Sequence, residues 1–297
     1  MTEWTEVRVP VPWGHVAAKS KGNPKDWPVL CVHGIQDNAN TFDHLVPLLP
    51  SSFFYVCVDL PGHGFSSPFP SGLVLDFFDY VLVLKRVVDY FEWKKVVYMA
   101  HSLGAQLGTY FSVIFPEIVA KLIMLDAVGP FCIPTEQFWE KHRTLNKGLC
   151  DLEQRMQERA APKYSYNEAV TRLTQNRFSN ISYESAETLV KRSLIRNDEG
   201  YSYSTDQRLK LTLWANVDAK TQISTLAKIQ CPQLLIIASE SAPFFKMPFF
   251  KNIISVYKRK YNFTSHVVKG NHDVHLDHPE RVANLISKFL KFSKSSL

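Results

Sequence analysis

The chain has 297 residues, 45% hydrophobic and 21% charged, an ordinary globular balance with enough length to bury a large core without metal or disulfide staples. Disordered, collagen-like and disulfide-scaffold architectures are thereby excluded. The 34 Lys and Arg against 28 Asp and Glu leave a net charge of +6, densest at Lys258-Arg259-Lys260 and at Lys288, Lys291 and Lys294. These clusters suit solvated helix faces, not the basic stripe of a nucleic-acid groove, so no nucleic-acid partner is expected.

Met1 to Glu6 is polar with two glutamates, which does not read as a signal peptide and points to the cytoplasm. Eight short apolar runs then read as strands: Val7–Val11, His15–Lys19, Val29–Val32, Phe53–Val58, Lys95–Ala100, Lys121–Leu125, Gln233–Ala238 and Phe263–Val268. The first two flank Pro12-Trp13-Gly14, which suits an antiparallel hairpin at a sheet edge. Several of the others are near-continuous Val/Ile/Leu runs, as in strands buried on both faces of a parallel sheet. Helical spacing links Phe77, Phe78, Val81, Leu84, Val88 and Phe91, and Leu103 to Phe115 is a second amphipathic stretch. A last helix carries Val282, Leu285, Ile286, Phe289 and Leu290, with Pro279 at its start. Strands alternating with helices imply a mainly parallel α/β sheet with right-handed crossovers.

From about Pro130 to Ile229 that rhythm stops. Thr135–Ala161, Tyr166–Arg177 and Ser182–Arg196 read as polar helices with no core strand among them. The expected organisation is a core over residues 1–130 and 230–297, interrupted by an all-helical cap over 131–229. No apolar run approaches the ~20 residues of a membrane span. Of five cysteines, Cys31, Cys57 and Cys231 sit in or beside apolar runs and read as reduced core residues, while Cys132 and Cys150 are undetermined. The chain ends Ser295-Ser296-Leu297, a loose variant of the peroxisomal Ser-Lys-Leu address.

The strongest chemical signal is Ala100-His101-Ser102-Leu103-Gly104, a strand running directly into a helix. This is the context of the G-x-S-x-G nucleophile elbow, with Ala100 in place of the first glycine. The competing reading of Ser102 is a helix-capping serine. After the third strand, Val32-His33-Gly34-Ile35-Gln36-Asp37 suits an oxyanion loop, with the N–H groups of Ile35 and Leu103 aimed at a developing alkoxide. His272, in Lys269-Gly270-Asn271-His272 after the last strand, is the expected general base, with His275 as its decoy. No acidic or cysteine partner stands at metal-ligand spacing to these histidines, so neither a metal nor another cofactor is expected.

These residues give the chain a resemblance to the α/β hydrolases, and in particular to the animal serine hydrolase-like proteins. It is carried by Val9–His15, Pro28–Asn40, Phe53–Ser67 with Asp59-Leu60-Pro61-Gly62-His63-Gly64, and Gly270–Pro279. The resemblance implies an eight-stranded core with a helical cap, Ser102 as nucleophile and His272 as base. It also implies that Asp59 and the Pro-Gly-His-Gly turn shape a loop and do no chemistry. Most relatives place the triad acid after the seventh strand, where this chain has Ser241. Asp126, at the end of the sixth strand, and Glu240 are the two candidates to replace it, and the third alternative is that no acid serves. Asp273 and Asp277 are expected to serve the turn and the helix start.

Phe244, Phe245, Phe249, Phe250 and Met247 either line an acyl pocket or dock a short helix on the core. Phe131, Phe138, Trp139 and Trp214 carry the same ambiguity, with Trp139 taken as a substrate contact alongside Phe244 and Phe245. The expected activity is hydrolysis of a small apolar ester or thioester through an acyl-enzyme. Epoxide and haloalkane hydrolysis need an aspartate where Ser102 stands. The alternative is a relative without turnover that binds a small ligand.

Overall fold

A computed structural model of the chain describes residues 3–131, 133–211, 215–260 and 262–291. Cys132, Trp214 and Ser295–Leu297 lie outside the described residues. The strands are β1 (Thr5–Val11), β2 (Gly14–Lys21), β3 (Trp27–Val32), β4 (Phe53–Val58), β5 (Val96–His101), β6 (Val119–Leu125), β7 (Leu194–Asn197), β8 (Gly200–Tyr203), β9 (Gln233–Ala238) and β10 (Phe263–Val268). The helices are α1 (Phe77–Tyr90), α2 (Leu103–Ile114), α3 (Phe138–Glu158), α4 (Tyr166–Gln175), α5 (Tyr183–Val190), α6 (Ala219–Leu226), α7 (Ala242–Phe245), α8 (Pro248–Lys258), α9 (Val274–Asp277) and α10 (Glu280–Lys291).

The eight strands expected from the apolar runs form one sheet in the order β1-β2-β4-β3-β5-β6-β9-β10. β1 and β2 make the N-terminal hairpin, β2 runs antiparallel to β4, and the remaining pairs are parallel. Every residue of β4, β5 and β9 is buried, which is why these segments are apolar runs broken only by His101 at the end of β5 and Gln233 at the start of β9. One face packs on α1, α2 and α8 through residues such as Leu84, Phe111 and Tyr257. The other packs on α10 and the 3-10 turn Ala39–Phe42 through Phe42, Ile286 and Leu290.

Register sets where chemistry can sit. Val32 pairs with Ala100, His101 with Leu125, and Leu125 with Ile236, so the chain leaves β3, β5, β6 and β9 along one edge of the sheet. β3 is followed by β4 on one side, whereas β5 is followed by β6 on the other. The loops after β3 and β5 therefore diverge and leave a crevice at the carboxyl ends of the strands.

The segment between β6 and β9 differs from the expected all-helical insertion in two respects. First, β7 and β8 form an antiparallel hairpin, and α5 stops at Val190 where the sequence pattern carried a helix to Arg196. The missed signal is Asp198-Glu199-Gly200 at the turn, with Gly200 at φ +136°, where a Cβ would lie 2.6 Å from the Tyr164 carbonyl oxygen. Second, Leu226 and Ile229, at the end of the segment, are part of the main core. Leu209 and Ala215 join them there, while Val170, Ile181, Ala186, Leu189 and Val190 form a separate small cluster closed by Leu276. Arg192 fastens this segment down, with Nε 2.7 Å from Asp59 Oδ2 and its other nitrogens on Glu6.

Candidate functional site

Ser102 stands between β5 and α2 at φ +48°, ψ −117°, a conformation that costs a non-glycine residue about 1–3 kcal/mol. A capping serine would adopt extended backbone and bond the first helical turn, but the Ser102 side chain makes no capping bond. Its own N–H donates to the Leu125 carbonyl at 3.1 Å, which holds the turn against β6. A Cβ at Gly104 would lie 2.3 Å from the Val32 carbonyl oxygen, so α2 can start here only with glycine. Ala100, which departs from the glycine pattern, is fully buried between Val32 and Met124, and the fold accommodates its methyl.

The loop after β3 comes equally close. A Cβ at Gly34 would lie 3.1 Å from Ser102 Cβ and 3.0 Å from His101 Nδ1. The Gln36 N–H donates to His63 Nε2 at 3.0 Å. Among the described residues, the N–H groups of Ile35 and Leu103 have no acceptor, and both residues line the cavity over Ser102.

Two buried histidines support this loop, and their partners define their tautomers. His33 donates from Nδ1 to the Gly34 carbonyl at 2.6 Å and accepts the Leu60 N–H at Nε2, 3.0 Å away. His63 donates from Nδ1 to the Pro61 carbonyl at 3.0 Å and accepts the Gln36 N–H. Burial pushes His33 down to about 4 and His63 down to about 3, so both are neutral in the folded chain. The unfolded chain takes up these protons first, below the ordinary value of 6.5. Stability from His63 is therefore complete above pH 6.5 and is lost as pH falls toward 3. Asp37, pushed up to about 6 by burial, acts in the opposite sense, so the raw curve mixes both. We expect His63→Gln, which keeps an acceptor without a proton to gain, to flatten unfolding free energy against pH by about 1.4 kcal/mol per unit between pH 6 and 4. Denaturant titrations at three pH values would measure it, and parallel curves would contradict it.

His272 and Asp126 meet directly, with Nδ1 to Oδ2 at 2.6 Å. Asp126 is fixed on three sides: its N–H donates to the Ile236 carbonyl at 2.8 Å, Oδ1 accepts the Ala238 N–H at 2.7 Å, and φ is +54°. His101 donates from Nε2 to the His272 carbonyl at 3.0 Å, which fastens the His272 loop to the end of β5. Glu240 is exposed, stays outside the cavity and does not reach His272, so it is not the carboxylate this histidine finds. The strand end carrying Glu240 turns outward, its N–H donating to the Gly270 carbonyl at 3.0 Å. His275, the decoy, is buried against Thr41, 2.9 Å from its hydroxyl.

The cavity over Ser102 has a volume of about 390 Å³ and is lined on one side by Phe131, Phe244, Phe245, Phe250 and Val128. Phe244 thus lines the cavity and also packs on Phe250, 4.5 Å between ring centroids, so the two readings of this aromatic run are not exclusive. Phe249 and Met247 do not line it. Trp139 is 80% exposed on α3 and outside the cavity, which corrects its assignment as a substrate contact. Phe138, its neighbour in the ambiguous aromatic set, packs on His142, 4.4 Å between ring centroids.

The opposite side of the cavity is polar and was not legible in the sequence. Asp37, His101, Arg177 and Asp273 line it. Asp37, His101 and Asp273 bring ligand atoms within 4.8 Å of one another, a set that could hold a cation. The positive charge there is the Arg177 guanidinium, 2.7 Å from Asp273 and 3.5 Å from Asp37. Desolvation works against the Asp273 carboxylate, but Arg177 and the nearby histidines outweigh it and hold the group below the usual carboxylate range. Asp277 serves its own turn as expected, accepting from Asn271 Nδ2 at 3.3 Å, whereas Asp273 stands at the N-cap of α9 without a side-chain capping bond. Both accept hydrogen bonds from the segment between α4 and α5. Asp59 does shape its loop, accepting the Ala39 and Phe65 N–H groups at 2.8 and 2.9 Å. Among the described residues, no helix is long and apolar enough to cross a membrane.

Residues 28–279 match the family described as alpha/beta hydrolase fold. A probable serine hydrolase of Drosophila melanogaster is 34% identical over 97% of this chain and 88% of its own length. Serine hydrolase-like protein 2 of Homo sapiens is 33% identical over 97% and 94%. Among solved structures, a hypothetical protein of Pseudomonas aeruginosa superposes with a TM-score of 0.85 at 27% identity, over 96% of this chain and 99% of that one. The thioesterase domain from the curacin biosynthetic pathway shares the fold at 22% identity, with a TM-score of 0.78 over 96% and 99%.

Proposed function

The chain belongs to the α/β-hydrolase family, among the serine hydrolase-like proteins, and from that premise we propose that it hydrolyses an apolar ester or thioester through Ser102, His272 and Asp126. The observation that carries this reading is the 2.6 Å contact between His272 Nδ1 and Asp126 Oδ2 in the cavity that Ser102 also lines. Asp126 accepts the Nδ1 proton, which leaves the Nε2 lone pair as the base. His272 takes the Ser102 proton as Oγ attacks the substrate carbonyl carbon. The alkoxide that forms accepts hydrogen bonds from the Ile35 and Leu103 N–H groups, which have no competing acceptor among the described residues. Collapse of this intermediate expels the alcohol or thiol, which receives the proton from His272. Water activated by His272 then cleaves the acyl-enzyme and regenerates Ser102.

The phenylalanine wall supports an apolar acyl group. In this reading residues 131–229 act as a cap, since Leu209, Leu211 and Phe178 from that segment also line the cavity. The rival reading, a relative that binds a ligand without turnover, rests on Ala100 in place of the first glycine and on the serine at position 241. Asp126 supplies the missing charge from the neighbouring strand end.

A fluorophosphonate probe tests the proposal. One covalent adduct on Ser102, absent from Ser102→Ala, is the expected result by mass spectrometry. A folded chain that takes no adduct from probes small enough to enter the cavity would favour the binding protein.

A further inference from the structure

One short stretch of the segment between β6 and β9 reaches the loop that carries His272. From Arg177 to Ser182, between α4 and α5, the chain runs beside residues 271–277, the loop that carries His272. The Arg177 guanidinium donates to Asp273 Oδ1 at 2.7 Å and stands 3.5 Å from Asp37 Oδ2. The Ser179 hydroxyl donates to Asp273 Oδ2 at 2.8 Å, and Asn271 Nδ2 donates to the Asn180 carbonyl at 2.6 Å. The Ser182 N–H and hydroxyl reach Asp277 at 3.1 and 3.0 Å. Phe178 sets its ring edge-on to His272, 4.9 Å between centroids. The Arg177 side chain is 10% exposed and both of its carboxylate partners are 1% exposed.

One guanidinium therefore joins three parts of the chain. Asp37 belongs to the loop of Ile35, Asp273 follows His272, and Arg177 comes from the inserted segment. Building on the hydrolase reading, we propose that Arg177 is a positioning residue that clamps the Ile35 loop to the His272 loop, so that the oxyanion donors and the base keep their places around Ser102. Both contacts are made by Nη2, a hydrogen bond to Asp273 and a charge contact to Asp37, and the arginine suits this role because its long stem and planar, always-charged head hold that one nitrogen between the two carboxylates, a placement the shorter, more flexible lysine does not reproduce.

Charge adds a second consequence. Asp126, Asp273, His101 and His275 surround His272, with Arg177 and Asp37 beyond Asp273 and Asp277 beyond His275. Without Arg177 the Asp273 carboxylate loses its counter-charge, while Asp37, already raised to about 6 by burial, is driven further toward its neutral form, so one uncompensated negative charge is left next to His272. The acid limb of activity then moves to higher pH.

The test uses the full chain with Arg177→Met and Arg177→Lys, and Ser102→Ala as blank, on a p-nitrophenyl ester. Hydrogen–deuterium exchange is read for residues 33–38 and 269–277. We expect Arg177→Met to lower kcat by about 10²-fold, the scale of an ångström-sized misplacement, with KM changed less than about threefold. Its acid limb should move to higher pH, and both loops should exchange faster while β5 and β6 do not. Arg177→Lys should hold the acid limb in place without restoring kcat. A methionine variant with kcat within about threefold, an unmoved acid limb and unchanged exchange would overturn the proposal. If that variant does not fold, the lysine variant decides: exchange must rise in both loops together. Wild-type protein that neither labels nor turns over ester would defeat the hydrolase reading instead, and the exchange data would still decide whether Arg177 couples the loops.

Discussion

Ser102→Gly is expected to abolish ester turnover and at the same time make the protein more stable. Serine at φ +48°, ψ −117° is strained, and glycine enters that region at no steric cost. The side chain makes no capping bond, so its removal forfeits no hydrogen bond there. A gain of about 1 kcal/mol follows, reduced by the greater freedom of glycine in the unfolded chain. Ser102→Ala keeps the strain and should leave stability nearly unchanged, with loss of kcat on the order of 10⁶-fold where a serine nucleophile is removed. Thermal melts and initial rates on the same preparations separate the possibilities. A serine kept for structure would lose stability in both variants, whereas a strained nucleophile loses only turnover. Retained activity in Ser102→Ala would remove the acyl-enzyme mechanism altogether.

The parts of this protein that were legible in its sequence share a physical property: they are local. β4, β5 and β9 are apolar runs because both of their faces are covered, and that pattern survives in one dimension. The turns at Gly34 and Gly104 announce themselves because backbone approaches backbone there and only glycine fits. Arg177 was not legible. It meets Asp273 across 96 residues of sequence, and nothing in the polar stretch around it marks an arginine that will be buried. Trp139 failed for a related reason, since an aromatic residue in the inserted segment does not reveal in sequence whether it faces the cavity or solvent. The β7–β8 hairpin is short and half-exposed, so it lacked the apolar run that reveals a core strand. Asp126 and Glu240 lie at the ends of adjacent strands, and only side-chain direction, set by the turn after each strand, separates them.

That separation makes Asp126→Asn the second decisive change. Asp126 Oδ1 accepts the Ala238 N–H, while Oδ2 accepts the Nδ1 proton of His272. An asparagine has one carbonyl oxygen to replace two acceptors. The Ala238 N–H is a backbone donor in a fixed strand and cannot reverse, so the oxygen stays with it and the amide NH₂ must face His272. His272 then has to accept at Nδ1, which moves its own proton to Nε2, the atom that should take the proton of Ser102. The imidazole keeps its place and loses its function. Turnover should fall by about 10⁴-fold, the scale of a wrong-tautomer substitution in a triad. Stability should hold, because asparagine adopts positive φ more readily than most residues and Asp126 sits at +54°. Glu240→Gln on the exposed strand end should change neither quantity. If Glu240→Gln abolished turnover while Asp126→Asn spared it, the base would be oriented by a carboxylate that must first swing in from solvent, and the 2.6 Å contact would belong to a resting state.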